Sequence, residues 1–138
     1  MNSLTYTNAV IKETLRVHTN VATLRRGKPN FYLYAPTGSG FDGMRFPTDG
    51  FVVFDGNMAI HRNPDLWPRV TEFIPERWMI TDEKDPMYPP RNGWRGFEQG
   101  PRNCPGQYLA VAEMKMVLAL ALPQVDIECA WDEWDSLR

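Results

Sequence analysis

Disulfide bridges, zinc knots and membrane spans are all poorly provided for in this chain. Only two of its 138 residues are cysteine, Cys104 and Cys129, and they make no CxxC pair. Neither a disulfide framework nor a structural zinc site is therefore expected, and a reduced, intracellular setting fits better. A charge excess of one sign is missing too. With 15 basic and 17 acidic residues the formal charge is −2, too little field to attract nucleic acid or an anionic membrane. The most apolar run, residues 108–122, contains Glu113 and Lys115 and falls short of the ~20 residues a bilayer span needs, so no membrane segment is expected. Residues 1–6 lack the charged-then-apolar pattern of a secretory leader. No internal repeat or low-complexity tract is present.

What remains is ordinary globular composition, 43% apolar and 23% charged. Residues 3–18 read as a helix. Leu4, Ile11, Leu15 and His18 share one sector at ~100° per residue, widened by Tyr6, Val10 and Val17. Glu13 and Arg16 lie off that seam at i and i+3, and spacing alone makes them a solvated surface pair. The runs Phe31-Tyr32-Leu33-Tyr34 and Phe51-Val52-Val53-Phe54 read as strands separated by glycines and by the turn-like Pro47-Thr48-Asp49-Gly50, which predicts a small antiparallel sheet. A short helix is expected over residues 57–61. Eight of the twelve prolines then fall between residues 62 and 105, where nothing is periodic apart from a possible turn over 65–71. Trp67, Phe73, Ile74, Trp78, Met79, Tyr88, Trp94 and Phe97 carry too much apolar surface for that segment to stay disordered. A flat apolar cofactor at its end is the expected organiser. Residues 106–122 read as a helix apolar nearly all round, hence buried, ending at Pro123. A short strand over 125–129 and an acidic surface tail over 131–135 complete the chain.

The loop Gly96-Phe97-Glu98-Gln99-Gly100-Pro101-Arg102-Asn103-Cys104-Pro105-Gly106-Gln107 presents one cysteine and opens directly into that last helix. A thiolate there would sit by unpaired N–H groups and a positive dipole end, which favour its anionic, metal-binding form. Arg91, Arg95 and Arg102 give the segment a local basic excess suited to a dianionic ligand. Thiolate ligation of haem iron is one of the few uses of a single loop cysteine that also needs a nearby arginine. The alternative for a lone cysteine is an inert buried residue.

Three pieces taken together, Glu13-Thr14-Leu15-Arg16, Phe73-Ile74-Pro75-Glu76-Arg77-Trp78 and the loop from Phe97 to Gly106, resemble the C-terminal haem-binding portion of a cytochrome P-450, a haem-thiolate monooxygenase, in a fungal-like style. The loop matches the family pattern FxxGxRxCxG at every fixed position. The resemblance implies an α+β fold, mainly α with a small antiparallel sheet. In order it would comprise the ExxR helix, small sheet, meander, cysteine loop and a final buried helix, all in one partial domain over residues 1–138. Cys104 would be the axial ligand of the iron of haem b, a strong donor that pushes electron density onto the metal. Gly100 and Gly106 would allow the loop to turn close to the sulfur, and Phe97 would shield it from water; as turn or core residues they would need no such role. Arg102 would meet a haem propionate, as would Arg26 or Arg25, spacing slightly favouring Arg26. A solvated strand entry is the alternative for that pair. Glu13, Arg16 and Arg77 would form a buried structural charge cluster. His61 would be a structural hydrogen-bonding residue, and His18 has no partner signal.

The resemblance further implies a reductase as redox partner and a small organic substrate. Relatives are commonly held at the endoplasmic reticulum membrane by an N-terminal anchor that has no counterpart here, so localisation stays open. Two departures stand out. Pro105 removes an N–H that could have bonded the thiolate, leaving a more electron-rich sulfur. Gly96 stands where proline is common and is expected to loosen the loop entry. Twelve residues precede Glu13, so the family's upstream oxygen-activating and substrate-binding parts are expected to be absent. The function is then haem and iron binding as part of a monooxygenase, or a non-catalytic truncated fragment that retains at most haem binding.

Overall fold

The structure, a computed structural model, describes residues 4–20, 22–128 and 131. Helix α1 spans Thr5–Val17 and begins without a side-chain cap, so its stability comes from what it packs against. Four short strands follow: β1 Thr23–Arg26, β2 Tyr32–Tyr34, β3 Arg45–Pro47 and β4 Val52–Asp55. They form two separate antiparallel ribbons in place of the single sheet expected. The inner ribbon pairs β2 with β3, Leu33 opposite Phe46. The outer ribbon pairs β1 with β4, Thr23 opposite Asp55 and Arg26 opposite Val52. Thr48, 2% exposed, stitches the two by accepting from the Lys28 N–H (3.2 Å) and donating to the Phe31 carbonyl (2.9 Å). Gly50 at φ 76° closes the turn back into β4, where the Phe51 N–H meets the Thr48 carbonyl at 3.1 Å.

Helix α2, Asn57–His61, leads into the proline-rich meander, which turns over residues 63–67 and again in the 3₁₀ turn Pro75–Met79. A second 3₁₀ turn, Gly100–Arg102, precedes α3, Gln107–Ala121. α1 packs against the Pro75–Met79 turn, α2 and α3.

Two expectations are overturned by the structure. α3 is not buried: none of its residues is, and Tyr108 (82% exposed) and Leu109 (66%) face outward, because α1 covers only one side of a helix that is apolar on several. Residues 125–128 form no strand, since no other described segment pairs with them. Within the chain, the meander is held by polar side chains of α1 and by a row of aromatic rings. Cys129 and the acidic tail beyond Trp131 lie outside the described residues. Among the described residues no helix is long and apolar enough to cross a membrane.

The centre of the molecule is polar. Among the described residues the buried apolar side chains are Ala9, Ile11, Trp67 and Pro75, against Glu13, Arg16, Thr48, Asn57, His61 and Arg77. A fold with this balance depends on how completely those groups are hydrogen-bonded.

Candidate functional site

Glu13 and Arg16 are both fully buried on α1, which overturns the solvated pair that spacing suggested. The apolar seam read from the wheel misses them because their burial is compensated by groups far away in sequence. Arg16 donates Nε and Nη2 to the two Glu13 oxygens, at 3.0 and 2.8 Å. Its remaining N–H groups reach the carbonyls of His61 (3.1 Å), Val70 (2.9 Å) and Glu72 (2.9 Å), pulling the meander onto the helix. Glu13 also accepts from the Ile74 N–H (3.0 Å), Arg77 Nε (3.3 Å) and Trp78 Nε1 (2.9 Å). Burial alone would push the Glu13 carboxyl up. The hydrogen bonds from Arg16, Ile74 and Trp78, with the Arg16 charge, prevail and hold it below the usual carboxylate range. The structure thus brings Glu13, Arg16 and Arg77 together around one carboxylate.

A row of rings leads away from this cluster. His61 lies edge-on to Trp67 at 6.5 Å, Trp67 meets Trp78 at 5.7 Å, Trp78 meets Trp94 at 5.7 Å, and Trp94 meets Phe97 at 6.1 Å. Trp94 is fixed by donating Nε1 to the Lys12 carbonyl at 3.1 Å. Gly96 is buried against this ring, and a Cβ there would come within 2.5 Å of Trp94 Cζ2, so the loop packs on Trp94 in a space that suits glycine.

His61 is fully buried and accepts the Arg95 N–H at Nε2 (2.8 Å), while Nδ1 is 2.7 Å from Thr19 Oγ1. An accepting Nε2 places the proton of the neutral ring on Nδ1. Burial, followed by the Arg16 and Arg95 charges, lowers its pKa to about 4. Glu98 gathers a second set of partners: Asn57 Nδ2 at 2.7 Å, Thr23 Oγ1 at 3.3 Å and Arg95 Nη1 at 3.2 Å. Arg95 Nη1 also lies 3.6 Å from Asp55. Burial would raise both acids. Hydrogen bonds from Asn57, Arg95, Asp55 and Thr23 hold Glu98 below its ordinary value, and Asp55, buried beside that negative charge, is raised.

The cysteine loop closes on itself through the Cys104 N–H, which donates to the Phe97 carbonyl at 2.9 Å. Phe97 is joined to Cys104 through the backbone, but the free thiol is exposed, so the expected shielding from water is not provided by the described residues. Gly100 has φ 79°, a conformation a side chain would strain. Gly106, where a Cβ would stand 3.8 Å from Cys104 Sγ, is the N-cap position just before α3. Arg102 is exposed, as are Arg25 and Arg26 on β1, and none of the three has a carboxylate partner within salt-bridge distance among the described residues. Alternation along β1 puts Arg25 on the face of Thr23 and Arg26 on that of Leu24. An exposed soft sulfur donor and exposed guanidinium groups are the donor chemistry that would suit a dianionic porphyrin and its iron.

Sequence reading missed the Glu98 network, the Trp67–Trp94 row and the role of Asn57. The PERW run and the tryptophan content were signals; the pairing of Glu98 with residues 23 and 57 left none.

The family model for Cytochrome P450 matches residues 1–135. Cytochrome P450 monooxygenase polC of Polytolypa hystricis is 48% identical over 127 residues, covering 92% of this chain and 22% of that protein. Cytochrome P450 monooxygenase acrF of Aspergillus aculeatus is 32% identical over 152 residues, covering 97% and 29%. Cytochrome P450 monooxygenase hepC of Aspergillus oryzae is 35% identical over 135 residues, covering 93% and 25%. The chain spans about a quarter of the length of these relatives.

Proposed function

Because this chain belongs to the cytochrome P450 family, we propose that residues 1–138 are the haem-binding part of a monooxygenase, with Cys104 as the thiolate ligand of the iron. The observation that carries the proposal is the exposed, free Cys104 thiol in a loop closed by its own N–H on the Phe97 carbonyl, beside the start of α3. Arg102 and either Arg26 or Arg25 hold the propionates, using guanidinium forks that no carboxylate of the described residues occupies. Gly100 and Gly106 keep the loop close to the sulfur, and Phe97 fixes the cysteine backbone.

Bound there as haem b, the cofactor supplies the iron chemistry that inserts one oxygen atom of dioxygen into a small organic substrate, with electrons from a reductase. The chain's own contribution is to hold a charged sulfur in place: Cys104 donates electron density, and the Glu13, Arg16 and Arg77 cluster fixes the meander that carries the loop.

The bare apolar side of α3 favours a second reading for the isolated polypeptide, a non-catalytic piece that retains at most haem binding. Both readings share one test. Haem is added to the purified chain, reduced, and its spectrum recorded under carbon monoxide. A thiolate-type Soret band that disappears in Cys104→Ser is expected. No such band, or one indifferent to that substitution, overturns haem-thiolate binding; turnover by the isolated chain would overturn the second reading.

A further inference from the structure

We propose that Glu98 is a positioning residue for Cys104, locking the cysteine loop to the ribbon that carries Arg25 and Arg26. The inference rests on the haem-binding reading for its purpose, and on geometry alone for its existence. Glu98 has φ 62°, a left-handed conformation unfavourable for a residue with a Cβ and uncommon outside Gly, Asn and Asp. Such a conformation persists where its surroundings over-determine it. Here the surroundings are explicit. The side chain of Glu98 is only 10% exposed, and it collects donors from three parts of the chain: Thr23 of β1 (3.3 Å), Asn57 of α2 (2.7 Å) and Arg95 (3.2 Å).

The backbone around it is held as tightly. The Glu98 N–H donates to the Arg95 carbonyl at 3.2 Å, making a tight turn, and the Arg95 N–H is itself held by His61 Nε2 at 2.8 Å. Gln99 reaches back to the Trp94 carbonyl with Nε2 at 2.7 Å. Phe97, inside this turn, presents the carbonyl that accepts the Cys104 N–H. Glu98 therefore acts on the cysteine through Phe97, and acts on β1 directly through Thr23, two residues before Arg25. One carboxylate sets both the height of the sulfur and the distance of the arginine-bearing strand from it. An ordinary surface ion pair would need only Arg95 and would leave the backbone in a relaxed conformation.

The test uses the full chain with Cys129→Ser, comparing Glu98→Gly, Glu98→Asn and Glu98→Gln by site-resolved amide hydrogen exchange. Glu98→Gly relieves the backbone strain and removes the clamp. Glu98→Asn keeps a residue tolerant of the left-handed region but is too short to reach the same donors. Glu98→Gln can still accept from Asn57 and Thr23 with its amide oxygen, while its amide nitrogen, a donor, replaces the charged acceptor facing Arg95. In Glu98→Gly and Glu98→Asn the Cys104 and Arg95 amides should exchange roughly tenfold faster or more, while those of Ile11 and Arg16 in α1 stay protected; Glu98→Gln should fall between. With haem and carbon monoxide, the share of thiolate-type band should fall in the same order. Cys104 exchange equal to the parent chain, or rising only in step with α1, overturns the proposal. Should Glu98→Gly not fold, Glu98→Asn and Glu98→Gln decide by the same criterion. If the parent chain shows no thiolate-type band, haem binding fails, and amide exchange still decides the role of Glu98.

Discussion

Glu13→Gln tests whether the buried charge cluster organises the whole chain. The native carboxylate accepts from Arg16 Nη2 (2.8 Å), Ile74 N (3.0 Å) and Arg77 Nε (3.3 Å) on one oxygen, and from Arg16 Nε (3.0 Å) and Trp78 Nε1 (2.9 Å) on the other. A glutamine keeps the shape but turns one oxygen into an amide nitrogen, which must face at least two of these donors. It also leaves two fully buried guanidinium groups without a counter-charge. Removing one partner of a buried ion pair costs ~3–5 kcal/mol, a large part of the ~5–15 kcal/mol that holds a domain of this size. With a urea dependence of ~1–3 kcal/mol per molar, the unfolding midpoint should drop by ~2 M or unfolding should begin without denaturant. Tryptophan fluorescence is the natural readout, since Trp78 bonds Glu13 and Trp67 lies against Arg16. Glu72→Gln, in the exposed Arg69–Glu72 pair, is the control and should leave the midpoint unmoved. A loss below ~1 kcal/mol for Glu13→Gln would refute the view that this carboxylate is the hub of the fold. Because the Glu13 carboxyl is held below its ordinary value, its contribution is present above the unfolded pKa and disappears as pH falls through the folded one.

His61 predicts a separate acid sensitivity. Its pKa is lowered to about 4 while an unfolded histidine titrates near ~6.5, so between these values the unfolded chain binds a proton that the folded chain refuses. Stability should fall from pH 7 to pH 5 by up to ~1.4 kcal/mol per unit, and His61→Gln should flatten that slope. Urea midpoints equal at pH 7 and pH 5 in the parent chain would count against it. Pro105→Ala restores an N–H next to the cysteine, and the reduction potential of the haem-loaded chain should rise as the sulfur becomes less electron-rich. An unchanged potential in spectroelectrochemical titration would end that idea.

The three helices could be read from the sequence because their signals are local: an amphipathic run for Thr5–Val17, a run of good helix formers for Gln107–Ala121, and a stop before Pro64 for Asn57–His61. β2 and β4 announced themselves by aromatic and branched residues. β1 did not, because Arg25 and Arg26 fill half of it, nor did β3, which has three residues and ends in Pro47. The cysteine loop was legible for a related reason: its chemistry is contiguous, every residue of the pattern lying within ten positions. Glu98 was in the same stretch and remained silent, since what it bonds lies at residues 23 and 57.

The misread face of α1 shows how that limit arises. A helical wheel asks which side is apolar, and on that question Glu13 and Arg16 belong in water. Burial is decided instead by whether a side chain's polar atoms find partners, and theirs are carbonyls and N–H groups of residues 61–78. A segment without secondary structure has many such backbone groups to offer, and it cannot be buried unless something accepts them. The irregular meander and the buried charges are therefore each other's solution: α1 satisfies the meander's backbone, and the meander covers α1's charges. The same exchange continues outward, from His61 to the Arg95 N–H and from Glu98 to Asn57 and Thr23, until it reaches the Phe97 carbonyl and the cysteine beyond it. An exposed thiol on an irregular loop is tied back to regular elements through the turn of Arg95 and Glu98, which His61 and Asn57 of α2 and Thr23 of β1 hold.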